Sequence, residues 1–180
     1  MGFNDLIDYY SDLLDAAFEA VSTEDADLRT NGEAGYQGFL TVGENNTGDG
    51  DANPTYVAVG EANATVDFKS GDVSGAANNF YEIGLATLEF DDEDQDLSEI
   101  GAPAISRSLE VTLNGTSISG SLMHLDGEEA MYGLAVQDVE YRGNDAEYLV
   151  VTSCGTSSAA GRSDIDAYGN FFGVETAASN

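Results

Sequence analysis

Between positions 4 and 21 the apolar residues fall at Leu6, Ile7, Tyr10, Leu13, Leu14, Ala17, Phe18 and Val21. This three-then-four spacing is one stripe of an α-helix and predicts a helix over 4–21. The opposite face carries Asp5, Asp8, Asp12, Asp15 and Glu19. Asn4 is placed to cap the first turn, and the early carboxylates suit the positive end of the helix dipole. Like-charged neighbours such as Asp8 with Asp12 and Asp15 with Glu19 cost about 0.2–0.5 kcal/mol each, so the helix needs a surface to pack on. That surface is either its own β domain or another subunit. In the second case Leu6, Ile7, Tyr10, Leu13, Leu14, Ala17, Phe18 and Val21 form a partner-docking face, with Tyr10, Leu14 and Phe18 the most costly to truncate.

After a polar connector over 23–35 the apolar period changes to two. Candidate strands cover 35–42, 56–59, 62–68, 73–83, 85–90, 104–113, 117–125, 131–141, 146–154 and 165–174. Val66 and Phe68 flank Asp67, and Leu109, Val111 and Leu113 alternate with Glu110 and Thr112, so one sheet face is wet. Short Gly, Asn and Asp turns join the strands, and closing such a sheet removes the unpaired edges that invite aggregation. The predicted fold is therefore all-β: an antiparallel barrel of 8–10 strands preceded by one amphipathic helix, with a sandwich as second choice. The organisation is a helical element at 1–22, a connector at 23–35 and a barrel domain at 36–180.

Composition sharpens this picture. The 180 residues include 21 glycines and 2 prolines, which suits short strands and tight turns. They carry 34 Asp and Glu against 5 Lys and Arg, a net charge of −29, which argues against nucleic acid and anionic membranes as partners. Self-repulsion destabilises the compact state at low ionic strength and salt screens it, so the charge reads as adaptation to a saline medium or as an anti-aggregation surface. The lone Cys154 can form neither an internal disulfide nor a cysteine zinc site. The first ten residues show no basic leader followed by an apolar run, and no stretch approaches the roughly 20 apolar residues of a membrane-spanning helix.

An internal echo links Thr65 through Gly75 with Glu110 through Gly120: a half-buried strand, a turn glycine (Gly71 or Gly115), a β-branched residue, then Ser-Gly. Together with Tyr132-Gly133 in a later strand and the Gly169-Asn-Phe-Phe-Gly-Val-Glu175 segment, these hairpins resemble the β-barrel domain of transferrin-binding protein B and related bacterial surface or secreted barrels. The resemblance spans about 36–177 and implies a displayed, ligand- or receptor-binding barrel. Family barrels usually continue for another strand after the closing motif, and surface-bound members carry a leader and an anchoring cysteine; none of these is visible here. No transferrin-binding residue carries over.

Candidate chemistry is sparse. His124 reads as a core or rim histidine, and no local motif joins it to Cys154 or a serine as a nucleophile pair. Cys154 reads as small and buried, or at a strand end. The run 90–96 and the loop 45–51 offer carboxylate and amide oxygens, but Tyr56 stands where an EF-hand loop needs a bidentate Glu, so solvated loops without a bound metal are expected. No cofactor is expected and no catalysis. The leading expectation is a non-enzymatic decoration or cement component on the exterior of a phage or phage-like particle, since such particles assemble in the cytoplasm and leave by lysis. Its partners would be capsid or other assembly subunits, or a second copy. The alternative is an exported bacterial binding barrel using loops 43–54 and 91–103.

Overall fold

A computed structural model describes residues 2–24, 27–45, 54–83, 104–105, 109–112, 117–123, 127–159 and 162–176. Within them a single helix, α1 (Phe3–Glu19), precedes nine strands. These are β1 (Glu33–Asn45), β2 (Pro54–Asp67), β3 (Asp72–Ile83), β4 (Ala104–Ile105), β5 (Leu109–Thr112), β6 (Ser117–Met123), β7 (Glu129–Arg142), β8 (Tyr148–Ala159) and β9 (Arg162–Glu175). Ladders run β2-β1-β9-β8-β7-β6-β5-β3, and a β2–β3 pairing joins the two ends, so eight of the nine strands make a ring of antiparallel pairings. The short β4 lies on the same edge of β3 as β5, pairing Phe80 with Ile105. The fold is the expected all-β barrel with an N-terminal helix.

Several boundaries differ from the sequence expectation. The two candidates 56–59 and 62–68 are one strand, β2, with a register shift against β3 between Val59 and Glu61. Period two fails there because both faces are covered: Tyr56 and Ala58 face the interior while Val57 and Val59 are also buried. The candidate 104–113 is represented by β4 and β5, and 85–90 lies outside the described residues. Asn4 is not the helix cap. Gly2 holds that position with no side-chain cap, and its carbonyl accepts the Leu6 N–H at 2.9 Å. The ring needs no strand after the Gly-Asn-Phe-Phe-Gly segment, because β9 itself pairs with β1 from Tyr36↔Glu175 to Asn45↔Asp166.

The interior is filled by alternating residues of every long strand, among them Tyr36, Leu40 and Val42 of β1, Leu134 of β7, Leu149 and Val151 of β8, and Phe171 of β9. At the seam between β1 and β9, Gly38 stands opposite Gly173. A Cβ on Gly38 would lie 1.9 Å from the Phe172 carbonyl oxygen, and one on Gly173 would lie 2.7 Å from the Phe171 ring. The two glycines let the strands approach and leave room for Phe171 and Tyr36.

Helix α1 packs on the outside of this ring. Leu6, Ile7 and Leu13 are buried with Phe39 of β1, Val59 of β2, Val150 of β8 and Phe172 of β9. The Tyr10 ring is tilted on Phe39 at 4.1 Å, and Phe39 stacks on Phe172 at 5.3 Å. Full burial of each aliphatic side chain contributes about 1.5–3 kcal/mol, which outweighs the few tenths lost per like-charged pair on the outer face.

Two phenols give the barrel a predictable alkaline response. Tyr36 and Tyr132 are 1% and 3% exposed. Burial pushes both above the ordinary phenol range, reinforced by the charge of Glu175 near Tyr36 and of Glu44 near Tyr132. The folded state keeps protons that the unfolded chain releases above about pH 10, so stability is full below that pH and falls above it. Each phenol is expected to remove about 1.4 kcal/mol per pH unit beyond about 10. Urea unfolding followed by circular dichroism checks this, and a midpoint that stays constant well past pH 10 would contradict it.

Candidate functional site

Polar groups gather in two places: inside the barrel near the end of β1, and outside it where α1, the connector and the β7–β8 turn meet. Inside, Glu44 is 2% exposed although it is a carboxylate. It alternates in phase with Leu40 and Val42, which turns it inward. Its Oε1 accepts the Tyr132 hydroxyl at 2.9 Å and the Ser157 hydroxyl at 2.7 Å. Such charge-assisted bonds offset the loss of hydration that a buried carboxylate suffers.

Outside, the connector is bound to the barrel end rather than loose. The Thr23 N–H donates to the Tyr141 carbonyl at 2.8 Å, its hydroxyl donates to the Gly143 carbonyl at 2.7 Å, and the Gly143 N–H donates to the Val21 carbonyl at 2.9 Å. Arg29 forms a two-point pair with Glu175, reaches Asp145 at 3.1 Å and lies 5.0 Å over the Phe68 ring. The hydrogen bond to Glu175 is the largest cause raising the already high pKa of the guanidinium. Beside it, the Tyr36 hydroxyl donates to the Ala146 carbonyl at 2.8 Å, tying the interior to a turn in which Asp145 and Ala146 both have positive φ.

Arg142 completes the junction. The last turn of α1 has no basic residue of its own. Arg142 of β7 supplies one by donating to the Ala17 carbonyl at 3.2 Å and the Phe18 carbonyl at 3.4 Å, where the helix dipole is negative. It also pairs with Glu140 at 3.1 Å and lies 5.2 Å from the Phe18 ring centre. The Ser22 hydroxyl, then Arg142, holds the Glu140 carboxyl below its ordinary range.

These contacts frame a cleft of about 800 Å3 between the end of α1, the start of the connector and the β7–β8 turn. Glu19, Glu24, Asp27, Asp145 and Glu147 line it, with Val21 and Tyr148 as apolar lining and no cation among the lining residues. Among the described residues no three acidic, histidine or cysteine side chains converge closely enough to hold a metal ion. The carboxylates are thus spread along the walls instead of focused on one point.

The residues predicted to dock a partner divide in three. Leu6, Ile7, Leu13 and Ala17 are buried in the protein's own structure. Tyr10 and Leu14 are half-buried beside them. Phe18 and Val21 remain 56% and 82% exposed, Phe18 against Phe172 and Arg142 and Val21 lining the cleft. Cys154 is neither buried nor at a strand end. It is exposed within β8, out of phase with the inward Ser153 and Ser157. His124, the run 90–96, loop 91–103, and all of loop 43–54 except residues 43–45 and 54 lie outside the described residues.

No protein-family model matches the chain, and no curated protein matches it. The functional reading therefore rests on the geometry of the barrel and its surface.

Alternation alone points to Glu44 as inward-facing, a signal available in β1 once Leu40 and Val42 are placed in the core. The cleft has no comparable signal. Its walls come from segments more than 100 residues apart, joined by contacts such as Thr23 to Gly143 with a separation of 120.

Proposed function

We propose that the protein is a non-enzymatic recognition barrel that serves as a decoration or cement component on the exterior of a phage or phage-like particle. The observation that carries this reading is the barrel interior, which is packed with the chain's own apolar side chains and leaves recognition to the outer surface. A ring of eight antiparallel strands among the described residues, with a net charge of −29, also suits a body displayed at high density without aggregating. The hairpin and closing motifs that resemble transferrin-binding protein B barrels fit the same use, a barrel that presents binding surfaces. The partners in this reading are capsid or other assembly subunits.

Density-gradient purification of particles from the producing cells, followed by quantitative mass spectrometry, tests it. The expected result is co-sedimentation at a fixed copy ratio to the major shell protein. Recovery only on intact cell surfaces or in particle-free medium would overturn the particle reading in favour of an exported binding barrel.

A further inference from the structure

We propose that the cleft between the end of α1 and the β7–β8 turn receives a lysine- or arginine-bearing segment of a partner protein. This rests on reading the protein as a non-enzymatic assembly component, and it names the chemistry of what that component grips. The occupant follows from charge complementarity. Glu19, Glu24, Asp27, Asp145 and Glu147 line the cleft, and no lysine or arginine lines it. Of these, Asp145 is already paired with Arg29 at 3.1 Å and Glu147 shares a hydrogen bond with the Tyr148 side chain.

The spread of the carboxylates along both walls suits several charges carried on an extended chain rather than one small ion. Val21, which lines the cleft and is 82% exposed, gives the same segment an apolar contact at one lip. A second copy of this chain is a poor occupant, because it has 5 cations against 34 carboxylates, and two of those cations, Arg29 and Arg142, are engaged at the cleft's own frame. The partner is therefore a different protein, one with a basic, partly apolar segment.

The test must separate this cleft from general attraction to a polyanion. Fluorescence anisotropy of the full chain with a short dye-labelled, amidated peptide alternating lysine with alanine or leucine provides the measurement. The triple variant Glu19→Gln, Glu24→Gln, Asp27→Asn is compared with Asp5→Asn, Asp8→Asn, Asp12→Asn, which removes the same charge from the exposed face of α1. The cleft variant is expected to weaken binding about tenfold and the helix-face variant by less than about twofold. Val21→Ser is expected to weaken it severalfold with no change in charge. Equal losses in both triple variants, or absence of peptide binding, would overturn the proposal. Circular dichroism melts of each variant confirm that the barrel is intact. Association with particles is scored separately for the wild type and the cleft variant. Particles that hold both equally well sink the cleft inference and leave the functional reading standing, whereas wild type absent from particles sinks the functional reading whatever the peptide does.

Discussion

Phe39→Ala is expected to lower the unfolding free energy by about 3–5 kcal/mol, the cost of emptying a well-packed aromatic site. Phe39 is fully buried on the outer wall of the barrel, between the Tyr10 ring at 4.1 Å and the Phe172 ring at 5.3 Å. Its ring is therefore a central part of the cluster through which α1 is seated on β1 and β9. The cavity would open on a helix whose polar face already repels itself, so relaxation favours loosening the helix over closing the gap. Two readouts follow: a large fall in the urea midpoint, and early exchange of α1 amides before those of the barrel. A variant that loses less than about 1 kcal/mol would show that the helix is held chiefly by other contacts.

The neighbouring substitution, Gly38→Ala, is expected to cost about 3 kcal/mol or more, at or beyond the upper end of ordinary overpacking. The added methyl carbon would sit 1.9 Å from the Phe172 carbonyl oxygen and 2.8 Å from the Gly173 Cα. Both are backbone atoms of the paired strand, so no side-chain rotation relieves the overlap. The β1 and β9 strands must separate locally, and the ladder between them is what closes the ring. Gly133→Ala is the control. It lies in β7, and a Cβ there meets nothing within 4 Å. Equal melting curves for the two variants would refute the role given to the seam.

The helix stripe and the alternating strands were legible because each is a local period, and the barrel followed from the number of antiparallel segments and their short turns. Leu6, Ile7 and Leu13 lie on the apolar face as their spacing requires. What the stripe could not reveal was which surface it meets, since packing on Phe39 and Phe172 joins segments distant in the chain. The same coverage split β2 into two candidates, 56–59 and 62–68: with Val57 and Val59 as well as Tyr56 and Ala58 buried, no wet face remained to carry the alternation across Gly60. Cys154 was obscured for another reason. Residue type suggested a buried or strand-end thiol, whereas strand phase decides its direction and turns it outward within β8. The acidic cleft depends on the connector folding back through Thr23 and Arg29, and no local pattern encodes that return.

The seam between β1 and β9 also constrains how the molecule is made. Among the described strands β1 is made first and its partner β9 last, and the connector's Arg29 meets Glu175 across a separation of 146 residues. Until β9 emerges, one edge of β1 and the wall that receives α1 stay open, and the nascent chain is exposed to misassembly while the intervening strands are made. Repulsion between the abundant carboxylates opposes contact between neighbouring unfinished chains over that interval.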